Sequence, residues 1–202
     1  MNETADVATN LPAIVLISWW VAVSMLHFLF RSDEMDKTEN FPADQPQDAT
    51  EEPAYPELRQ ADPDFSAQAF LSGACRAYEE ILHAYALCDL KALQPLLSND
   101  VFLAFAEACR MRMTRGEMLE LTVVGIQSAE IAGTDVGPDA MEITVLFRVH
   151  LIHTLRSAKD DLIEGDPAAV AAVSDLWTFA RPRPLGKETW RLVATDEALQ
   201  PA

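Results

Sequence analysis

The chain has 202 residues, half of them hydrophobic, and a formal net charge of −17. Acidity on that scale excludes a nucleic-acid surface and general electrostatic adhesion to anionic lipid. Residues 1–64 hold 13 acidic and 3 basic side chains, a balance of −10, which leaves −7 for the remainder.

After a ten-residue tail, Leu11 to Phe30 reads LPAIVLISWWVAVSMLHFLF without an Asp, Glu, Lys or Arg. At ~1.5 Å per residue, about 20 helical residues span the ~30 Å apolar core of a bilayer. Pro12 falls in the first turn, where its missing N–H breaks no helical bond. A secretory signal peptide would want cations before the run, and Met1 to Asn10 offers Glu3 and Asp6 instead. A transmembrane helix over 11–30 is therefore expected. Arg31 and Lys37 follow the run and no Lys or Arg precedes it, so the positive-inside bias puts the C-terminal side in the cytoplasm.

Residues 31–63 are acidic, carry Pro42, Pro46, Pro53, Pro56 and Pro63, and offer only Phe41, Tyr55 and Leu58 as sizeable apolar groups. Such a stretch has little to bury against its ordering entropy and is expected to be a disordered, self-repelling linker. From Phe65 the pattern becomes periodic. Asp64 or Ser66 caps a long helix bearing Phe70, Ala74, Ala77, Tyr78, Ile81, Leu82 and Tyr85 on one face, to about Leu87. Asp89 opens a short helix through Leu90, Leu93, Leu96 and Leu97. Ser98 or Asn99 caps a third, Val101 to Met113, with Phe102, Phe105, Ala106 and Cys109 on its apolar face and Gly116 at its end.

The period then drops to two. Leu119 to Ile131 is β-rich, Gly133 to Pro138 reads as a turn, and Met141, Ile143, Val145, Phe147, Val149 and Leu151 alternate with more polar residues. A charged connection, 157–167, leads to strands at Val170–Arg181 and Trp190–Thr195. Helices followed by a strand meander predict an α+β domain over 64–198, with about three helices on a bent four-stranded antiparallel sheet.

The clusters Phe70-Leu71-Ser72-Gly73-Ala74 with Tyr78, Ile81, Tyr85 and Asp89, and Asp175-Leu176-Trp177-Thr178-Phe179 with Arg181, Trp190, Leu192 and Thr195, resemble the Tim44-like domain family in its bacterial, membrane-anchored form. The resemblance covers Phe65 to Thr195. It implies a cone similar to the nuclear transport factor 2 superfamily, with an apolar cavity, acting as an adaptor at a membrane. Cys88 departs from the pattern, standing where a Gly before Asp89 is usual. The long N-terminal region through which the mitochondrial member engages its motor is also absent, so no import-motor role carries over.

Sites of chemistry are sparse. His150 and His153 sit at odd spacing on one strand, on opposite faces, and are not expected to share a metal. Cys75, Cys88 and Cys109 show no zinc spacing and read as reduced thiols. Asp175 shares a strand face with Val173, Trp177 and Phe179; we read it as paired with Arg181 or Arg191, the alternative being a proton-abstracting base. No catalytic group, metal or cofactor is assigned. Phe102, Phe105, Phe147, Trp177 and Trp190 are expected to line the cavity. Arg110, Arg112, Arg115, Arg181, Arg183 and Lys187 form two cation clusters that could meet an acidic protein partner or lipid headgroups. The expected function is a membrane-anchored adaptor for a protein partner or membrane client at the cytoplasmic face of the inner membrane. The alternative is a cavity protein that binds or transforms a small apolar ligand or lipid.

Overall fold

The computed structural model describes residues 55–184, 186 and 189–197. Among these no helix is long and apolar enough to cross a membrane. The run Leu11–Phe30 and the linker as far as residue 54 lie outside the described residues.

Four helices precede a five-stranded sheet: α1 (Pro56–Ala61), α2 (Ala67–Ala86), α3 (Leu90–Leu93), α4 (Asn99–Arg115), β1 (Met118–Val136), β2 (Ala140–Arg156), β3 (Leu162–Gly165), β4 (Ala171–Pro182) and β5 (Arg191–Glu197). The expected α+β class with an antiparallel sheet is observed. Strands run in the order β1-β2-β4-β5, with β3 added to the end of β2, and every pairing between named strands is antiparallel.

Local sequence explains most element ends. The Ser66 hydroxyl accepts from Ala69 N–H to cap α2, and the Ser98 hydroxyl accepts from Val101 N–H to cap α4. Phe70, Ala74, Tyr78, Ile81, Leu82 and Tyr85 recur at three and four along α2 and are all buried. The sheet face that meets them carries Met141, Ile143, Val145, Phe147 and Val149 of β2, each at most 1% exposed, beside Val173, Trp177 and Phe179 of β4. Phe147, Trp177 and Tyr78 form one aromatic group, with Tyr78 4.7 Å from Phe147 and 4.4 Å from Trp177 between ring centroids. Three bulges on β1, between Val123 and Gly125, Ile126 and Ser128, and Ile131 and Gly133, punctuate the long hairpin.

Both α2 and α4 end in the same hydrogen-bonding device, and they solve it with different residues. At α4, Gly116 (φ 66°) takes the left-handed position while Glu117 N–H bonds back to the Arg112 carbonyl. At α2, Cys88 (φ 54°) holds that position while Asp89 N–H bonds back to the Ala84 carbonyl at 2.8 Å. The conformation a glycine would adopt is thus kept, at a cost of roughly 1–2 kcal/mol for a residue with a Cβ.

Three expectations need correction. The end of the supposed linker is built into the domain: Pro56–Ala61 is helical, Leu58 is fully buried, and Thr134 of β1 donates to Glu57 at 2.8 Å. One completely buried leucine outweighs the proline-rich, acidic surroundings. The charged connection after β2 contains β3, making five strands in place of four; its Leu162 and Ile163 are each 48% exposed, so no alternation announced it. Finally, Gly133 continues β1 opposite Thr144, and the chain turns at residues 137–139, where Gly137 N–H bonds the Ala140 carbonyl.

Candidate functional site

The first half of α2, the link between α3 and α4, and the connection from β4 to β5 enclose an open groove of about 640 Å³. The Leu192 N–H donates to the Leu96 carbonyl and Ser98 N–H donates to the Leu192 carbonyl, both at 2.8 Å, which pins the α3–α4 link to β5. The apolar base is Phe65, Phe70, Leu96, Phe179 and Trp190. Phe70 organises it: its ring lies 4.9 Å from Trp190 and 6.1 Å from both Phe65 and Phe179. Phe70 and Phe179 are buried, whereas Trp190 is half-buried and keeps a face toward the opening.

The rim is charged. Arg181 reaches across to Asp62 at 3.1 Å and also donates to the Gly186 carbonyl, while Asp64, Arg76 and Glu80 complete the edge. Gly73 stands on α2 between base and rim, and a Cβ placed there would meet nothing within 4 Å. The groove therefore offers a hydrophobic trough with rings in fixed geometry and carboxylates and guanidiniums around it, a surface suited to an apolar segment carrying polar flanks.

Of the five residues expected to line a cavity, only Trp190 lines this groove. Phe105, Phe147 and Trp177 are buried core, packed on Tyr85 or Tyr78, and Phe102 is half-buried against the core. The core packing of helices against sheet consumes the rings that a cone was expected to leave facing an interior space.

The cations do not form two clusters. Arg110 pairs with Glu107 on its own helix, Arg115 with Glu117 at 2.7 Å, Arg181 with Asp62, and Arg183 donates to the Gly137 carbonyl at 2.9 Å. Lys187 lies outside the described residues. Arg112 is only 6% exposed and points into the domain, so it is no surface contact. Its placement was legible: Val101, Phe105, Cys109 and Arg112 follow one another at four, four and three, which puts Arg112 on the buried face of α4.

Asp175 faces Phe147 across the β2–β4 pair, and the Tyr78 hydroxyl donates to its carboxylate at 2.6 Å. The expected partner Arg181 is engaged at the groove rim instead. Burial first, and then the adjacent Asp175 charge, push the Tyr78 phenol well above its ordinary range; burial pushes Tyr85 up to about 12, with Arg112 acting against it. A folded-state phenol that holds its proton more tightly than the unfolded one stabilises the fold below about pH 10 and loses that contribution above it. The unfolding free energy should accordingly fall between pH 10 and 12, by at most about 1.4 kcal/mol per pH unit for each of the two phenols, and the denaturant midpoint with it. Equal midpoints at pH 9 and 11 would contradict this.

His153 and Glu164 lie 3.9 Å apart across β2 and β3; burial depresses the imidazole's proton affinity and raises the carboxyl's, and both shifts work against an ion pair. His150 does not join them, and among the described residues no cluster of metal-ligating side chains occurs.

Compared with known proteins, the chain matches the family model described as Tim44-like domain over residues 52–197. Among solved structures it is similar to the crystal structure of the intermembrane space region of chloroplast protein ARC6, with a TM-score of 0.47 and 9% identity, covering 64% of this chain and 97% of that one. No curated protein sequence matches it.

Proposed function

Because the chain belongs to the Tim44-like domain family, we propose that it is a membrane-tethered adaptor whose folded domain holds a protein partner through the groove between α2 and the β4–β5 connection. The observation that carries this reading is the groove itself, an open trough floored by aromatic rings with a charged rim. A half-buried Trp190 packed on Phe70 at the groove leaves a ready anchor point for another chain.

The tether is Leu11–Phe30, whose charge-free length suits one span, and the cations that follow it favour a domain on the cytoplasmic side of the inner membrane. The acidic stretch behind it gives the domain reach without sticking to anionic headgroups. A tether adds nothing to an enzyme working on diffusible substrates, and for a scaffold it raises the effective concentration of domain near membrane clients. The domain performs no chemistry of its own in this reading.

Fractionation tests the tether. The full chain should stay with the membrane pellet after an alkaline carbonate wash, and protease should reach the domain only from the cytoplasmic side. Recovery of the intact chain in the soluble fraction would remove the anchor from this account.

A further inference from the structure

Arg112 raises a question that the groove does not answer. A guanidinium remains charged under all physiological conditions, and an uncompensated buried charge costs several kcal/mol. Yet among the described residues no carboxylate is in contact with Arg112. Its Nη2 donates to the Tyr85 carbonyl and lies 3.0 Å from the Cys88 sulfur and 3.7 Å from the Cys109 sulfur, while its carbon centre stands 4.5 Å over the Tyr85 ring. Nε and Nη1 are buried with no hydrogen-bond partner among the described residues. Among the described residues, the polar atoms that meet it are the Tyr85 carbonyl oxygen and the two sulfurs.

The two thiols differ. Cys109 is 1% exposed, donates weakly toward the Tyr85 carbonyl, and burial pushes its thiol up to about 11, so it keeps its proton. Cys88 is half-buried, lies closer to the guanidinium, and occupies the left-handed position at the end of α2 where a side chain is disfavoured. That strained placement brings a part-buried sulfur against Arg112.

We infer that Cys88 is a covalent modification site for small peroxides, with the buried Arg112 guanidinium seated against its sulfur. In the reaction the Cys88 sulfur attacks one peroxide oxygen, the O–O bond breaks, and an S–O bond forms. Sulfur loses two electrons to the peroxide, whose other oxygen leaves and takes up a proton as water or alcohol. The product is a sulfenic acid held beside a guanidinium whose Nε and Nη1 have no hydrogen-bond partner among the described residues. Cys88 does not line the groove, so this site stands independently of the adaptor reading.

The test treats the purified full chain with hydrogen peroxide and dimedone, and follows each cysteine by peptide mass spectrometry. Cys88 should be labelled about tenfold or more faster than Cys75, which is also half-buried but lies beside the Glu79 charge, with no cation contact among the described residues. Arg112→Met should bring the Cys88 rate down to that of Cys75, and Gly73→Trp in the groove should leave it unchanged. Should Arg112→Met fail to fold, Arg112→Lys, which keeps the charge, replaces it and should retain faster labelling than Cys75. A Cys88–Cys109 disulfide formed only when dimedone is omitted would support the inference, because it arises from the same sulfenic acid by loss of water. Equal rates at Cys88 and Cys75 in the wild-type chain, or an unchanged Cys88 rate in folded Arg112→Met, would overturn it.

Discussion

Replacing Tyr78 by alanine should destabilise the domain by about 3–5 kcal/mol, a large share of the ~5–15 kcal/mol that holds a domain of this size together. Tyr78 is fully buried at the centre of α2, between Phe147 of β2 and Trp177 of β4, so truncation opens a cavity where helix meets sheet. It also removes the donor to Asp175, leaving that part-buried carboxylate without its 2.6 Å hydroxyl contact. Tyr78→Phe separates the two effects. It keeps the ring and deletes only the hydroxyl, and should cost about 1–3 kcal/mol. Urea unfolding of the three proteins measures both differences; an alanine variant no less stable than the phenylalanine variant would show that ring packing is not what joins the layers.

Gly73→Trp should abolish partner capture while leaving the fold intact. The added side chain starts where a Cβ meets nothing within 4 Å and grows into the groove, and tryptophan is a better helix former than glycine. The plug competes with whatever packs against Phe70 and Trp190. Loss of one aromatic anchor contact worth ~2 kcal/mol corresponds to about 30-fold in affinity. Gly73→Ala is the control: it adds one methyl, should stabilise the helix by about 0.5–1 kcal/mol, and should still capture. Pull-down from detergent-solubilised native membranes reads the effect. Equal recovery of the same partner with Gly73→Trp would show that the partner binds elsewhere.

Where a single period carried the information, the sequence told the structure well. The alternation of β2 became a buried surface, as did the face of α2 except for Ala77, which is half-buried at the groove, and Ser66, Ser98 and Gly116 cap where their chemistry predicts. Composition misled where one residue outweighed its neighbours, as Leu58 does in an acidic, proline-rich stretch. The groove was legible only as isolated residues, since its wall joins positions as distant as Asp62 and Arg181, and no local pattern records that approach. Counting charges along α4 placed Arg112 on the surface, although its spacing from Phe105 and Cys109 already set it on the apolar face. The Asp175 partner was missed for a related reason: strand alternation found the face, but the hydroxyl that meets it comes from α2, 97 residues earlier.

The most direct test of the account places a photo-cross-linking amino acid at Ala69, an exposed position on the groove wall, in the full chain within its native membrane. A groove that holds a partner beside the membrane predicts one dominant protein adduct, lost on adding Gly73→Trp and sharply reduced when Leu11–Phe30 is deleted. An adduct that persists unchanged through both alterations would contradict it.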